Sequence, residues 1–420
     1  MELSVSSLRY PYLNMQAGAL VGVFGMIAGC STPPPAAPPT RDSGVRDVGN
    51  VLDAPVVDTG PAPTDVGGDV TERGCDLSGF QMALDPVTRP RSVVVSRDND
   101  VDLVFAWSGG AAGEQVDIAN LAAVSDMPAF SSIIEDNIVR QPASSDSVLT
   151  WVEISGDESI VFVAHPPSAA IQVSESGRHD GPQIIQVEGG WWLAWTQLNA
   201  ERGWDIRYRF FDGESLGELM SLDVSASESK IAIAESEGVM AVAWIAEGNA
   251  FTQSLMPSGA AVGEATVVST DSNVTSGITL ALDGLGGLVA FVVDVGGQSQ
   301  VRSRILDLEA APRRNEQIVS VPNAGTDPSV ATYAGGFAIV YRARSPGGQF
   351  SVELAFVHGS TGSVVDRYVV DSSDWSDGRP GIAITTVGTL GIGWAEQMPE
   401  GTQIRAARIQ CEEAWLRCSR

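Results

Sequence analysis

Residues 182–213 read PQIIQVEGGWWLAWTQLNAERGWDIRYRFFDG, and their pattern of apolar residues and glycines predicts the fold. Apolar and polar residues alternate before the paired glycines 189–190 and again after residue 204, which is the period of a β-strand with one buried face. The glycine pair supplies the positive φ that a two-residue hairpin needs. A fourth apolar segment, ELMSLDV, follows at 218–224. The stretch therefore predicts four consecutive antiparallel strands.

The aromatic residue that ends the second of these strands, Trp195, recurs along the chain. Equivalent segments are DLVFAW, SVLTW, GVMAVAW, GGLVAF, GGFAIVY and GTLGIGW. With Trp195, their last residues are the seven markers of the repeat: Trp107, Trp151, Trp195, Trp244, Phe291, Tyr341 and Trp394. Successive spacings of 44, 44, 49, 47, 50 and 53 residues define a repeated structural unit.

Four antiparallel strands in each of seven units predict an all-β fold, a seven-bladed β-propeller. One four-stranded sheet cannot cover both of its faces, whereas radial stacking against its neighbours covers them. We therefore expect the seven markers to be buried between blades. Over residues 79–411 the chain resembles propeller-bearing bacterial surface and periplasmic proteins, without the consensus of the WD, kelch or sialidase repeats.

The two ends of the repeat region predict how the ring closes. Residues 80–84, FQMAL, are similar to a fourth strand, while the last unit has little sequence after its third strand. An amino-terminal strand that completes blade seven would bring Cys75 close to the carboxy-terminal segment. We expect a disulfide from Cys75 to Cys411, with Cys418 as the alternative partner. A local Cys411–Cys418 bridge that leaves Cys75 free is the competing pairing.

The amino terminus carries an apolar run at 17–29, which is too short for a stable membrane span. It ends in Ile27-Ala28-Gly29-Cys30, which resembles the lipobox of bacterial lipoproteins. The resemblance implies cleavage before Cys30, lipid on its thiol and attachment to a membrane. Ser31 in the next position implies sorting to the outer membrane by the enterobacterial rule. The expected location is the cell envelope, on its periplasmic or surface side.

These features divide the chain into three parts. Residues 1–29 are the expected lipoprotein signal peptide, and residues 75–420 are the expected propeller. Residues 30–74 begin with the lipidated cysteine and are rich in proline and aspartate. They have no aromatic residue to bury, so we expect a disordered tether.

A formal net charge of −27 excludes nucleic acid as a partner, because phosphate binding needs clustered lysine and arginine. The residues Asp180, Asp327 and Asp377 occupy matching positions in the predicted inter-blade loops. Turn chemistry explains them, since Asp and Gly initiate turns and Pro begins the next strand. The alternative is a carboxylate rim around the channel that binds Ca²⁺ or a cationic ligand. No other cofactor is predicted.

No catalytic constellation stands out in the sequence. The favoured function is a non-enzymatic binding or scaffold protein that presents its loops to an unknown envelope protein or glycan. The alternative is a polysaccharide-active hydrolase or lyase with its site at the mouth of the channel. Fold alone does not choose between them.

Overall fold

The computed structural model describes residues 75–76, 81–87, 93–98, 102–109, 115–121, 129–134 and 137–411, apart from gaps at 167, 227–229, 322–324, 334, 346, 373–375, 387 and 399–400. The chain divides into two compact units, Met1–Gly60 and Pro61–Arg420, and every described residue belongs to the second. The predicted signal peptide and tether lie outside the described residues. Within the described ranges we find no helix with the length and hydropathy of a membrane span.

The described residues form 29 strands in seven antiparallel sheets, so the prediction of seven four-stranded blades is confirmed. The strands of blades one to three are β3 (Val93–Asp98), β4 (Asp102–Gly109), β5 (Gln115–Leu121), β6 (Ala129–Ile134), β7 (Ile138–Ser145), β8 (Val148–Ser155), β9 (Glu158–Ala164), β10 (Ile171–Gln172), β11 (His179–Val187), β12 (Gly190–Asn199), β13 (Gly203–Phe211) and β14 (Met220–Ala226).

The strands of blades four to six are β15 (Ile231–Ser236), β16 (Val239–Ala246), β17 (Asn249–Leu255), β18 (Ala261–Val267), β19 (Val274–Asp283), β20 (Gly286–Asp294), β21 (Ser299–Leu306), β22 (Gln317–Ile318), β23 (Gly325–Tyr333), β24 (Gly336–Arg344), β25 (Phe350–His358) and β26 (Val364–Asp371). Blade seven consists of β27 (Ser376–Ile384), β28 (Thr389–Met398), β29 (Gly401–Cys411) and the amino-terminal strands β1 (Cys75–Asp76) and β2 (Gln81–Val87).

The first strands of successive blades contact one another around a closed circuit, from β3 through β27 and back to β3. Because strands alternate in direction, the connections from first to second strand and from third to fourth strand lie at the same end of each blade. We call this end of the ring the lower face. The opposite end, the upper face, carries the second-to-third hairpins and the connections between blades.

The marker aromatics fill the spaces between blades, as predicted. All seven are at most 2% exposed. Each marker packs with residues of the preceding blade: Trp195 of blade three, for example, lies among Val148, Val161 and Val163 of blade two. The same relation holds around the ring, and Trp107 of blade one packs with Ala395 and Ile404 of blade seven. Each interval between markers along the sequence therefore corresponds to one blade of the ring.

The ring is closed by the amino-terminal strand. Strand β2 pairs with β29 antiparallel, with Gln81 opposite Ala407 and Ala83 opposite Arg405. Strand β1 continues along the same neighbour, and its register places Cys75 directly opposite Cys411. The last blade is thus built from both ends of the propeller sequence, as the sequence predicts.

A second repeat, which the sequence analysis did not identify, links the outer strands. A Val-Ser pair directly follows the fourth strand of blades two, four and five. Each serine Oγ accepts a backbone N–H from the neighbouring third strand, and each valine carbonyl accepts an arginine N–H from the next blade. In the order serine, N–H donor, valine and arginine, the residues are Ser174, Val161, Val173 and Arg209 for blade two; Ser269, Ala250, Val268 and Arg304 for blade four; and Ser320, Val301, Val319 and Arg367 for blade five. These arginines bind adjacent blades together away from the apolar core.

Candidate functional site

A cavity of about 630 Å³ opens on the lower face between blades three and four. We call it the cleft, and its volume lies within the roughly 300–1,000 Å³ range of ligand pockets. Blade three contributes its two lower turns, and blade four contributes the two turns that face them. The lining residues are Val187, Glu188, Trp192, Phe210, Glu218, Met220, Glu235, Gly238, Met240, Pro257 and Ser258.

The apolar part of the cleft is held in place by contacts that cross between blades. The indole N–H of Trp192 donates to the carbonyl of Pro257 at 3.2 Å, and the hydroxyl of Tyr208 donates to the carbonyl of Gly259 at 2.8 Å. Both acceptors lie in the third-to-fourth turn of blade four. Two aromatic side chains of blade three therefore fix a turn of its neighbour.

Gly259 is required in this turn for two reasons. Its φ of +86° lies in the left-handed region, which a residue with a Cβ rarely adopts. A Cβ at this position would also lie 2.6 Å from the Met220 Sδ and 2.7 Å from the Trp192 Cη2. The glycine thus lets the turn lie against the apolar wall of the cleft.

The polar side chains of the cleft are almost all carboxylates. Glu188 and Glu218 are exposed on blade three, and Glu235 is half-buried on blade four. The Glu235 Oε1 accepts the backbone N–H of Gly238 at 2.7 Å, which orders the turn. Arginine and lysine are not among the described lining residues. Ionised carboxylates only accept hydrogen bonds, so the cleft is suited to a ligand that donates them.

A second cavity, of about 380 Å³, lies where the inner strands surround the ring axis. Its lining combines aliphatic residues such as Leu280 and Ile382 with the charged residues Arg97, Asp146 and Glu235. Asp146 accepts a hydrogen bond from Gln186 at 2.5 Å, and Glu235 accepts the backbone N–H of Gly238. The described lining contains no histidine, cysteine or tyrosine.

The three aspartates of the predicted rim are not in inter-blade loops, which corrects that expectation. Asp180 and Asp377 are the second residues of β11 and β27, and Asp327 is the third residue of β23. All three inner strands are irregular there: register shifts follow Asp180 and Asp377, and a third shift spans Asp327. The bulge interrupts the alternation of apolar and polar residues, so the sequence pattern marks the start of each strand only after the bulge. The strands in fact begin before it, and the residues assigned to loops lie within them.

The surroundings of Asp327 are cationic. Its carboxylate lies 3.6 Å from the Arg342 guanidinium and 4.0 Å from Lys230, which is the only lysine of the sequence. The Asp180 carboxylate accepts the backbone N–H of Gly181, and the side chain of Asp377 lies outside the described residues. Among the described side chains, no three His, Cys, Asp or Glu residues converge as they would around a metal ion. The Ca²⁺ rim stays a prediction.

Of the four cysteines, Cys30 and Cys418 lie outside the described residues. Cys75 and Cys411 are described through their backbones, which face each other in the β1–β29 pair. The disulfide also stays a prediction, and its expected effect is argued in the Discussion.

His179 is buried at the start of β11, where its Nε2 lies 2.8 Å from the Glu175 carbonyl oxygen. Burial lowers the pKa of His179 below the ordinary 6.5, Arg207 lowers it further, and the Glu175 contact opposes both. Since the unfolded chain then binds a proton more readily than the native chain, stability is complete above pH 6.5 and falls as the pH drops below it. Thermal melting from pH 8 to 5 measures this loss.

The matched variant for this measurement is His179→Gln, which keeps a polar side chain without the titration. We expect its melting temperature to depend less on pH between 6.5 and 5 than that of the native chain. An unchanged pH dependence would show that another group controls acid stability.

Comparison with known proteins leaves the function open. No family model matches the chain, and no curated protein matches it. Among solved structures, a protein of unknown function from Dyadobacter fermentans DSM 18053 has 9% identity and a TM-score of 0.49 over 81% of this chain and 100% of that one. The β-propeller domain of the Trilobed protease from Pyrococcus furiosus has 9% identity and a TM-score of 0.44, covering 76% of this chain and 96% of that one.

A further similar structure is a subtype N10 neuraminidase-like protein of A/little yellow-shouldered bat/Guatemala/060/2010. Its identity is 12% and its TM-score 0.41, over 80% of this chain and 100% of that one. Likenesses at this level concern the fold alone, so they assign neither a ligand nor a reaction to this chain.

The cleft is not evident from the sequence. Trp191-Trp192 reads there only as part of a strand, and nothing marks Met220 or Met240 as lining a cavity. The available signal was the start of ELMSLDV, where an acid is followed by leucine and methionine at the end of a turn. The cleft also needs two blades, and its walls come from turns far apart in sequence.

Proposed function

We propose that the chain is a lipid-anchored binding protein of the cell envelope and that the cleft is its recognition site. The observation that carries this proposal is a cavity of about 630 Å³ with an apolar floor and carboxylates at its edge. A methionine side chain such as that of Met220, which is half-buried in the cleft wall, adapts its shape to a bound surface. A pocket with an apolar floor and a few placed polar groups is the usual form of a binding site.

Methyl NMR of the full chain tests this function. Met220 and Met240 lie in the wall of the cleft, so ¹³C labelling of methionine methyl groups places two reporter signals there. The variants Met220→Leu and Met240→Leu identify which signal belongs to which residue. We expect a fraction of an envelope extract, separated into proteins, glycans and lipids, to shift these two signals selectively. The matched variant Ser258→Trp fills the cleft and should abolish the shifts. If no fraction moves either signal, the cleft is not a recognition site.

The lipid anchor is proposed on the resemblance of residues 27–30 to a lipobox. Each buried methylene contributes about 0.8 kcal/mol, and two or more acyl chains give stable attachment. We expect Cys30→Ala to abolish both incorporation of labelled palmitate and sedimentation with membranes. Ser31→Ala serves as the control and should leave both unchanged. A Cys30→Ala chain that still incorporates palmitate would contradict the anchor.

The alternative, a polysaccharide hydrolase or lyase acting at the channel mouth, has no specific observation in its favour. It requires an acid and a base facing one another at a substrate. The channel lining at the lower face includes the carboxylates of Asp146 and Glu235, but the first is bonded to Gln186 and the second to the Gly238 N–H. At the upper face the Asp327 carboxylate lies beside Lys230 and Arg342. We therefore do not propose this activity.

A further inference from the structure

Four large apolar side chains are exposed on the lower face beside the cleft. They are Leu219, Met256, Leu285 and Leu308, with exposed fractions of 46%, 50%, 76% and 44%. All four lie in lower-face turns, one in blade three, one in blade four and two in blade five. We call these four residues the collar. Single exposed leucines are ordinary on protein surfaces, whereas several in neighbouring turns of one face indicate an interaction surface.

The collar is continuous with the cleft. Leu219 stands between the lining residues Glu218 and Met220, and Met256 precedes the lining residue Pro257. The blade-five part is joined through the first turn of blade four: the Glu237 carboxylate lies against Gly284, the residue before Leu285. Cleft and collar thus extend across lower-face turns of three neighbouring blades. Their combined area is larger than a small ligand would contact.

The charge of the cleft selects the chemistry of the group that enters it. Glu188, Glu218 and Glu235 present acceptors only, so an occupant of the cleft must bring hydrogen-bond donors and positive charge. Lysine and arginine carry such donors at the end of an aliphatic stem, which packs against apolar walls while the charged end reaches a carboxylate. Their hydrogen bonds to ionised oxygens are also the stronger kind.

The same geometry does not favour a glycan. Sugars stack on open aromatic faces, but Trp192 is 4% exposed with its indole N–H already bonded to Pro257. The half-buried Phe210, the other aromatic ring of the cleft, packs edge-on with Trp192 at 5.6 Å. The collar offers aliphatic side chains, which have no ring face for stacking.

We propose that the cleft and collar form a docking surface for a protein partner that inserts a lysine or arginine side chain into the cleft and covers the collar with apolar residues. This inference rests on the proposed function and names its class of ligand. It assigns the centre of the interface to a basic anchor, and arginine is enriched among the central residues that contribute most to binding at protein interfaces.

Two peptide libraries test the anchor. Both contain 12-residue peptides with random flanks, one with a central arginine and the other with citrulline, which has nearly the same shape without the charge. Binding to the full chain is measured by fluorescence anisotropy at physiological salt. We expect the best arginine peptides to bind at least about tenfold more tightly than their citrulline counterparts, a difference of about 1.4 kcal/mol.

Charge variants locate the effect. Glu188→Gln combined with Glu218→Gln should remove the preference for arginine. The matched pair Glu201→Gln and Glu264→Gln makes the same change in net charge at exposed positions outside the cleft, and should keep the preference. Leu219→Ser combined with Leu285→Ser should weaken the best arginine peptides several-fold with little change in melting temperature.

The outcomes separate the two proposals. Equal binding of the two libraries, or equal losses in the cleft pair and the control pair, overturns the basic anchor. If a glycan or lipid fraction shifts the Met220 and Met240 signals while no arginine peptide binds, the cleft is a recognition site but its partner is not a basic protein. If no fraction shifts those signals, the proposed function fails first.

Discussion

Replacing Cys75 with serine is expected to lower the free energy of unfolding by about 5–6 kcal/mol, the chain-entropy value for a disulfide that closes almost the whole propeller. The register of β1 on β29 places Cys75 opposite Cys411. Opposed residues of an antiparallel pair have Cα atoms about 4.5–5.5 Å apart, which is within the range of disulfides. Export would place both thiols in an oxidising compartment. Chemical denaturation of the oxidised chain measures the effect.

The other cysteine variants identify the pairing. Cys411→Ser should match Cys75→Ser, and the double variant should add nothing further, because both remove the same bond. Cys418→Ser is the control and should keep full stability. If non-reducing peptide mapping links Cys411 to Cys418 while Cys75 is alkylated in the native chain, the seam is not locked and this prediction is wrong.

Replacing Trp195 with alanine is expected to cost about 3–5 kcal/mol, the usual range for a large aromatic side chain in a core. Trp195 is 1% exposed and lies between blades two and three, so its removal leaves a cavity that two sheets cannot close. Denaturant unfolding measures the loss. Leu285→Ala, which also removes a large apolar side chain but from a position 76% exposed, should change stability by less than about 0.5 kcal/mol.

Phenylalanine substitutions separate packing from hydrogen bonding at the markers. The Trp394 N–H donates to Asp371 at 2.9 Å, whereas the Trp195 N–H has no partner among the described residues. Trp394→Phe should therefore destabilise the chain more than Trp195→Phe does. An equal effect would show that the hydrogen bond to Asp371 contributes nothing to stability.

The sequence determined the architecture because the deciding signals are local. Alternation over a few residues gives a strand, a glycine pair gives a hairpin, and Trp195 and its equivalents repeat at the spacing of a blade. The outermost strands were less accurately predicted: β10 and β22 are only two residues long. Each of these strands ends at a Val-Ser pair that is hydrogen-bonded to the third strand and to an arginine of the next blade. The alternation of apolar and polar residues gives no indication of such contacts.

The candidate site could not be predicted in the same way. Asp327 has the composition of a turn, yet it lies in a strand with a φ of +53° and faces Lys230 and Arg342, which are about 100 and 15 residues away. The cleft likewise depends on how the turns of two blades meet. A regular sequence pattern predicts which residues are buried, but not which exposed side chains of separate turns face one another.

The recognition role of the cleft is tested most directly by photo-crosslinking in cells. The photoreactive amino acid p-benzoylphenylalanine replaces Met256, which is exposed beside the cleft, or, as the control, the exposed Glu201 in the second-to-third turn on the upper face. We expect a protease-sensitive adduct from position 256, lost when Glu188→Gln and Glu218→Gln are added, and no such adduct from position 201. Equal adducts from both positions, or none from position 256, would contradict recognition through the cleft.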